Sequence, residues 1–268
     1  MFKKIRAKKS LGQNFLMNKS KLRKIADVLE LKKGDTVIEI GSGHGELTEE
    51  LRIKNKELRI IAIEKDTEFA KALKEKFSKD KNIEIIEGDV LKVLPVLFGG
   101  FKLQALSFKI VGNIPYYITG YLLRIVSELE LKPELMILTI QKEVAQRISA
   151  KPPKMNLLAA SVQFWAEPKI IGYISKKDFR PAPKVDSAII KLKATSDKQQ
   201  VKSENYYKLI KILFKQPRKT IFNNLCGAKK IDADKCRKKL LKAGINPSDR
   251  PQNLEMGKLK EMLKYEII

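Results

Sequence analysis

The chain is short of the residues that staple, ligate or anchor. It has two cysteines, Cys226 and Cys236, ten residues apart, with no CxxC spacing and no histidine nearby. That argues against a disulfide framework and a zinc site, and it suits a reducing, cytoplasmic setting. No run of 18 apolar residues occurs, so no membrane span is expected. The basic N-terminus is not followed by an apolar stretch, so no secretory signal is expected. Internal repeats and low-complexity segments are missing too. Acids are the scarcer charge: 31 Asp and Glu face 55 Lys and Arg, a net charge of +24. The excess is uneven. Residues 1–24 hold nine basic residues and no acid, and residues 196–268 carry a net +10, which leaves +5 for the stretch between. A Lys-rich bias that merely keeps a protein soluble would be spread evenly. Basic ends on a near-neutral body fit a polyanion, most simply nucleic acid. An anionic membrane surface fits less well, because no amphipathic helix bearing Trp or Phe accompanies the charge.

What is present is enough for a real core: 268 residues, 43% of them hydrophobic, which allows one large or two modest domains. The chain is organised around Thr36–Thr48. Thr36-Val37-Ile38-Glu39-Ile40 runs into Gly41, Gly43 and Gly45, and a helical pattern with Leu47 and Leu51 follows. A short apolar run bounded by glycines reads as a buried parallel strand. A glycine turn between strand and helix lets backbone approach a ligand where a Cβ would clash. The spacing is GxGxG, not the GxGxxG of dinucleotide folds. Glu64 ends the next apolar run, about 20 residues on, where an acid can hold ribose hydroxyls. The plainer reading is an ordinary tight turn with a surface Glu; strand, glycines and spaced acid together favour a nucleoside-cofactor site.

The remaining stretches continue the alternation. Ser10-Leu11-Gly12-Gln13-Asn14-Phe15-Leu16 interrupts a basic arm, Lys3–Lys24, with amides that suit a polar ligand edge and apolar groups that suit its cover. Asn18 or Ser20 can cap a helix with the stripe Leu22, Ile25, Ala26 and Leu29, and Asp66 another with Phe69, Leu73 and Phe77. Ile83–Glu87 is a third strand, with Asp89 just beyond it. Its carboxylate there serves either an exocyclic amine such as adenine N6 or the cap of the next helix. Phe98–Phe101 is a loop. Phe108–Gly112 is a fourth strand delivering Asn113-Ile114-Pro115-Tyr116-Tyr117. An amide, a residue held extended before proline, and an aromatic face together suit a planar amine. The plainer reading is a strand-end turn with two packed tyrosines. Strands at Leu135–Ile140, Ile170–Ile174 and Ala188–Leu192, a helix at Met155–Gln163 and a proline-stiffened loop, Phe179–Ser187, complete this part. Ala194–Ser203 reads as a linker, and everything beyond it as helical.

Together these stretches resemble the KsgA (RsmA) type of ribosomal RNA adenine N6-dimethyltransferase. The motifs that carry the resemblance occur in order: Gly12–Leu16, Glu39–Gly43, Glu64, Gly88-Asp89, Asn113–Tyr116, Gln141–Val144 and Phe179–Ser187. Glu39-Ile40-Gly41 and Asn113–Tyr116 also fit the macrolide-resistance (Erm) methyltransferases of large-subunit rRNA, whereas Gly12-Gln13 and Lys184–Ala188 look more like the housekeeping enzyme. The resemblance implies an α/β fold: a Rossmann-like class I methyltransferase sheet with helices on both faces in residues 1–195, and a small, basic all-helical domain in 196–268. It implies S-adenosylmethionine as cofactor, held by Gln13, Asn14, Leu16, Gly41, Gly43, Glu64, Lys65, Asp89, Val90 and Asn113. Asn113, Pro115 and Tyr116 would carry the chemistry, and Tyr116 and Phe179 would sandwich the target adenine. Lys184, Arg218 and Lys219 would contact RNA. The implied partner is small-subunit rRNA within the small ribosomal subunit, met by a cytoplasmic monomer with no metal. A non-catalytic assembly or transcription factor on the same fold is the alternative of another class. The family often has Asp and Arg where this chain has Asn18 and Pro217, and the one histidine, His44, reads as a surface residue.

Overall fold

Nine strands and eleven α-helices follow one another through the described residues of a computed structural model, namely 5–99, 107–195, 203–228, 232–265 and 267. Residues 1–4, 100–106 and 196–202 lie outside them, and with these the first lysines of the basic arm, the second half of the Phe98–Phe101 stretch, whose first half is helical and not the loop expected, and most of the expected linker. The strands are β1 (Phe15–Leu16), β2 (Thr36–Ile40), β3 (Arg59–Glu64), β4 (Ile83–Glu87), β5 (Lys109–Asn113), β6 (Leu135–Gln141), β7 (Ala166–Ile174), β8 (Phe179–Arg180) and β9 (Ser187–Ala194). The helices are α1 (Lys19–Asp27), α2 (Glu46–Lys54), α3 (Thr67–Lys76), α4 (Val90–Gly99), α5 (Thr119–Glu128), α6 (Lys142–Ile148), α7 (Leu157–Gln163), α8 (Ser203–Leu213), α9 (Ile221–Ala228), α10 (Ala233–Lys242) and α11 (Met256–Lys264).

Seven strands form one sheet in the order β4-β3-β2-β5-β6-β9-β7. β2 to β6 are parallel, and β9 runs antiparallel beside β6. The chain leaves β2 in one direction towards β3 and β4 and later returns to β2's other side with β5. The switch point therefore lies between β2 and β5, and in such sheets ligands bind beyond the carboxyl ends of the strands there. Both faces are covered. Val37, Ile60, Val111, Ile137 and Ile189 share one apolar cluster with Leu22, Ile25 and Leu29 of α1 and with Leu47 and Leu51 of α2. Their alternates Ile38, Ile61, Ile110 and Met136 are equally buried, as the two-residue period of a strand enclosed on both sides demands. The caps form where the side chains allow: Asn18 accepts the Ser20 and Lys21 N–H groups, and Asp66 that of Glu68.

The chain divides into two compact units, one of Met1–Ala145 with Glu167–Ala194, the other of Gln146–Ala166 with Thr195–Ile268. Residues 146–166, placed by sequence within the 1–195 stretch, thus belong to the second unit. The reason is a shared core. Met155, Ala159 and Ala160 pack with Tyr206, Leu209, Ile210 and Leu213 of α8, and the buried Tyr206 hydroxyl donates to the Ala160 carbonyl at 2.8 Å. The same cluster takes in Leu225, Leu240 and Leu259, so α9, α10 and α11 close around α8.

Candidate functional site

A cleft opens at the switch point. Ile40 and Gly41 enter it from the end of β2, Glu64 and Lys65 from β3, Gly88 to Val90 from β4, and Asn113 to Ile118 from β5. The fourth wall, Leu11 to Phe15, comes from the N-terminal segment. Two contacts hold that segment down. β1 pairs with β8, setting Leu16 opposite Phe179, and the Phe15 ring packs edge-on against His44 at 4.4 Å and tilts against Phe69 at 5.1 Å. Gln13 adds a polar tie, its Nε2 donating to Asp66 Oδ2 at 3.1 Å, while Lys8 pairs with Asp66 Oδ1 at 2.9 Å.

The side of the cleft formed by the ends of β3 and β4 is acidic. Glu64 is 6% exposed, and its two oxygens accept the N–H groups of Gly43 (2.9 Å) and Asp66 (2.8 Å). Burial pushes its pKa up, although those N–H groups favour the charged form. Asp89 Oδ1 accepts the Leu91 N–H at 3.0 Å as the cap of α4, and Oδ2 takes the Lys65 ammonium at 2.8 Å; both residues line the cleft. Partial burial works against its charge, but Lys65 and the Leu91 N–H outweigh it and hold the carboxyl below the usual range. Beneath the glycine turn, Glu39 is 1% exposed and accepts the Thr48 hydroxyl at 2.6 Å. Burial raises its pKa to about 7.

The glycines serve backbone and space. Gly41 has φ +72°, a conformation that favours glycine, and a Cβ on it would meet the Asn113 carbonyl oxygen at an ordinary contact distance of 3.6 Å. At Gly43, φ +54°, a Cβ would stand 2.7 Å from the Phe15 ring. Across the cleft, Asn113 Nδ2 donates to the Asn14 carbonyl at 2.8 Å. With its N–H₂ group so engaged, the Asn113 side-chain oxygen is left as an acceptor at the end of β5. Pro115, without an N–H, begins the turn that follows, and the Tyr116 hydroxyl pairs with Ser187 Oγ at 2.7 Å. That bond and partial burial fix the ring, and burial keeps the phenol neutral by raising its pKa.

Of the residues singled out by sequence, Gln13, Asn14, Gly41, Glu64, Lys65, Asp89, Val90, Asn113, Pro115 and Tyr116 line the cleft. Leu16 and Gly43 stand behind it, Leu16 in the core and Gly43 as a donor to Glu64. Phe179 differs from expectation: it is 1% exposed within the core cluster of Leu16 and Leu22 and is not part of the cleft wall. Its pairing with Leu16 in a two-residue sheet turns the ring inwards. Lys184, Arg218 and Lys219 are exposed. Sequence reasoning missed Leu11, Gly12 and Tyr117 as wall residues. The glycine was the available sign. Gly12 has φ +63°, and a Cβ on it would lie 3.2 Å from the Tyr117 ring. Among the described residues no group of three or more His, Cys, Asp or Glu is placed to hold a metal ion, and no helix is long and apolar enough to cross a membrane.

Residues 4–266 match the family described as Ribosomal RNA adenine dimethylase. A Dehalococcoides mccartyi protein named Ribosomal RNA small subunit methyltransferase A is 40% identical over 258 residues, which is 96% of this chain and 87% of that one. A dimethyladenosine transferase from Plasmodium falciparum superposes with a TM-score of 0.77 at 24% identity, covering 92% of this chain and 95% of the other. The 23S rRNA methyltransferase ErmE superposes with a TM-score of 0.72 at 25% identity, covering 94% and 99%. A match over nearly the whole length makes this chain a member of the ribosomal RNA adenine dimethylase family.

Proposed function

We propose that the protein uses S-adenosylmethionine to dimethylate N6 of two adjacent adenines in a hairpin loop near the 3′ end of small-subunit rRNA, during ribosome biogenesis. The cleft fits that cofactor on its own chemistry. Gly41 turns the chain at φ +72° and brings no side chain into the cleft beside Asn113. Glu64 offers a carboxylate to a ribose diol, Asp89 one to an adenine amine, and both lie on the same side of the cleft. When bound, the cofactor supplies an electrophilic methyl group on a sulfonium.

The chain's own residues do the rest by holding and orienting. Adenine N6 is a weak nucleophile because its lone pair is delocalised into the ring, and it is out of reach inside a stacked helix, so the base must be turned out. Tyr116, fixed by Ser187, offers a stacking face worth about 1–3 kcal/mol. The Asn113 side-chain oxygen accepts one N6 hydrogen, and the backbone carbonyl near Ile114 and Pro115 accepts the other. Both dipoles point at the nitrogen that becomes positive, and they need no reorganisation as it does so. No general base is required, since the product ammonium is acidic. The single observation that carries this reading is the 2.8 Å bond from Asn113 Nδ2 to the Asn14 carbonyl, which orients the amide. Phe179 would have to leave its buried position to complete a sandwich with Tyr116, so we propose a sandwich only for the RNA-bound state.

The small-subunit choice is supported by 40% identity to a protein so named, against 25% to the 23S enzyme. We further propose that the enzyme works as a cytoplasmic monomer without a metal, that residues 196–268 with Lys184, Arg218 and Lys219 bind RNA, and that the basic arm assists. The test is incubation with methyl-labelled S-adenosylmethionine and unmethylated small or large subunits in parallel. Label recovered as N6,N6-dimethyladenosine from the small subunit is expected. Label in the large subunit would move the protein to the resistance group, and no label despite intact cofactor and subunit binding would favour a non-catalytic assembly factor.

A further inference from the structure

The mechanism above leaves one charged side chain in the cleft without a task. Lys65 follows Glu64 at the end of β3 and reaches across to the end of β4. Its ammonium lies 2.8 Å from Asp89 Oδ2, and both residues line the cleft. The other Asp89 oxygen is already committed to the Leu91 N–H. A ligand amine aimed at Asp89 therefore meets the oxygen that Lys65 holds, and has to share it or displace the ammonium. We propose that Lys65 is a positioning residue that sets cofactor affinity, its ammonium competing for the Asp89 oxygen that receives the exocyclic amine of the ligand's adenine. This rests on the reading of the cleft as an S-adenosylmethionine site.

Two features make the competition adjustable. The Lys65 side chain is 49% exposed and that of Asp89 25%, so the pair is reached by solvent and screened by salt. A pair this open shifts an equilibrium by about two- to fivefold, not by orders of magnitude. Lys92 is the other cation acting on Asp89, and Tyr117 acts on Lys65 from the cleft wall. Neither takes the oxygen that Lys65 holds.

The probe is S-adenosylhomocysteine, which has no net charge near pH 7, so its long-range attraction to the protein is weak and salt acts mainly on the local pair. Calorimetric titration of the wild type should show binding that tightens as salt rises from low to moderate concentration. Lys65→Met keeps the apolar stem and deletes the charge. It should bind S-adenosylhomocysteine about two- to fivefold more tightly than wild type at low salt, with a flat salt profile. Lys65→Arg keeps a cation opposite Asp89 and should follow the wild type. S-inosylhomocysteine has a carbonyl in place of the amine, so the ammonium becomes a donor to the ligand, and Lys65→Met should weaken its binding. A merely structural Lys65 would not reverse sign between the two ligands. Equal or weaker S-adenosylhomocysteine binding by Lys65→Met at low salt overturns the inference while the cofactor reading stands. No binding by the folded wild type overturns both.

Discussion

Replacing Asn113 by alanine removes two things at once, and their sizes differ enough to be separated. One is the hydrogen bond from Nδ2 to the Asn14 carbonyl, 2.8 Å long and partly buried. A neutral bond of this kind contributes about 0.5–1.5 kcal/mol to stability. For a chain of this length that is a fall in melting temperature of about 1–6 °C. Some loosening of the Asn14 segment should follow, and with it a modest loss of cofactor affinity, less than about tenfold. The other is the side-chain oxygen that accepts a hydrogen of the reacting amine. Its dipole acts on charge that develops only as the methyl moves, and removing one such preorganised group costs about 2.7–4 kcal/mol, or roughly 10²–10³ in rate. The assay is single-turnover transfer of labelled methyl to small subunits at saturating cofactor, beside calorimetry with S-adenosylhomocysteine. The expected pattern is a rate loss of at least about 100-fold with affinity and melting temperature nearly kept. An undiminished rate, or a rate loss no larger than the affinity loss, would refute the role given to Asn113.

Three further outcomes follow from the same geometry. Glu39 titrates at about 7 in the folded protein because it is buried, and its unfolded value is the ordinary one near 4.3. Between those values the folded state binds the proton that the unfolded state has lost. Its contribution is therefore fully present below about pH 4 and lost as pH rises to about 7, by about 3 kcal/mol. Urea titrations at pH 5 and pH 7.5 should show Glu39→Gln gaining stability relative to wild type at the higher pH, and parallel profiles would contradict the shift. Gly43→Ala would set a Cβ 2.7 Å from the Phe15 ring at φ +54°, so a stability loss of ~2–4 kcal/mol with weaker S-adenosylhomocysteine binding is expected by melting and calorimetry. Removing the charges of Lys184, Arg218 and Lys219 should flatten the slope of log affinity against log salt for rRNA by about 0.7–0.9 for each phosphate no longer neutralised. An unchanged slope would take those three residues out of the interface.

The parts of the site that could be read from the chain alone share a spacing. Gly41, Glu64, Asp89 and Asn113 stand 23, 25 and 24 residues apart. Each follows or ends a strand, and each strand is parallel to its neighbour. A strand, its helix and two turns take about that many residues, so in a parallel sheet such positions land on one edge without any long-range information. Periodicity and glycine are local, and they sufficed to place these residues at strand ends, although the roles of Asp89 and Asn113 came from the family resemblance. The fourth wall obeys no such rule. The segment that forms it, Leu11 to Phe15, is held there by the two-residue pairing of Phe15 and Leu16 with Arg180 and Phe179, more than 160 positions away. Two residues are too few for any alternation to register, and the same pairing buries Phe179, which the family resemblance marks as a stacking face. Lys109 shows the converse. Nothing in Phe108–Gly112 marks its ammonium as buried, yet it is 1% exposed and satisfied by Asp35 at 2.7 Å and the Glu30 carbonyl at 2.7 Å. The contacts that escaped the sequence are those whose partners come from another part of the chain. The Lys65–Asp89 pair is of that kind as well, two residues each assigned to the same ligand, whose attraction for one another only their placement on adjacent strand ends brings out.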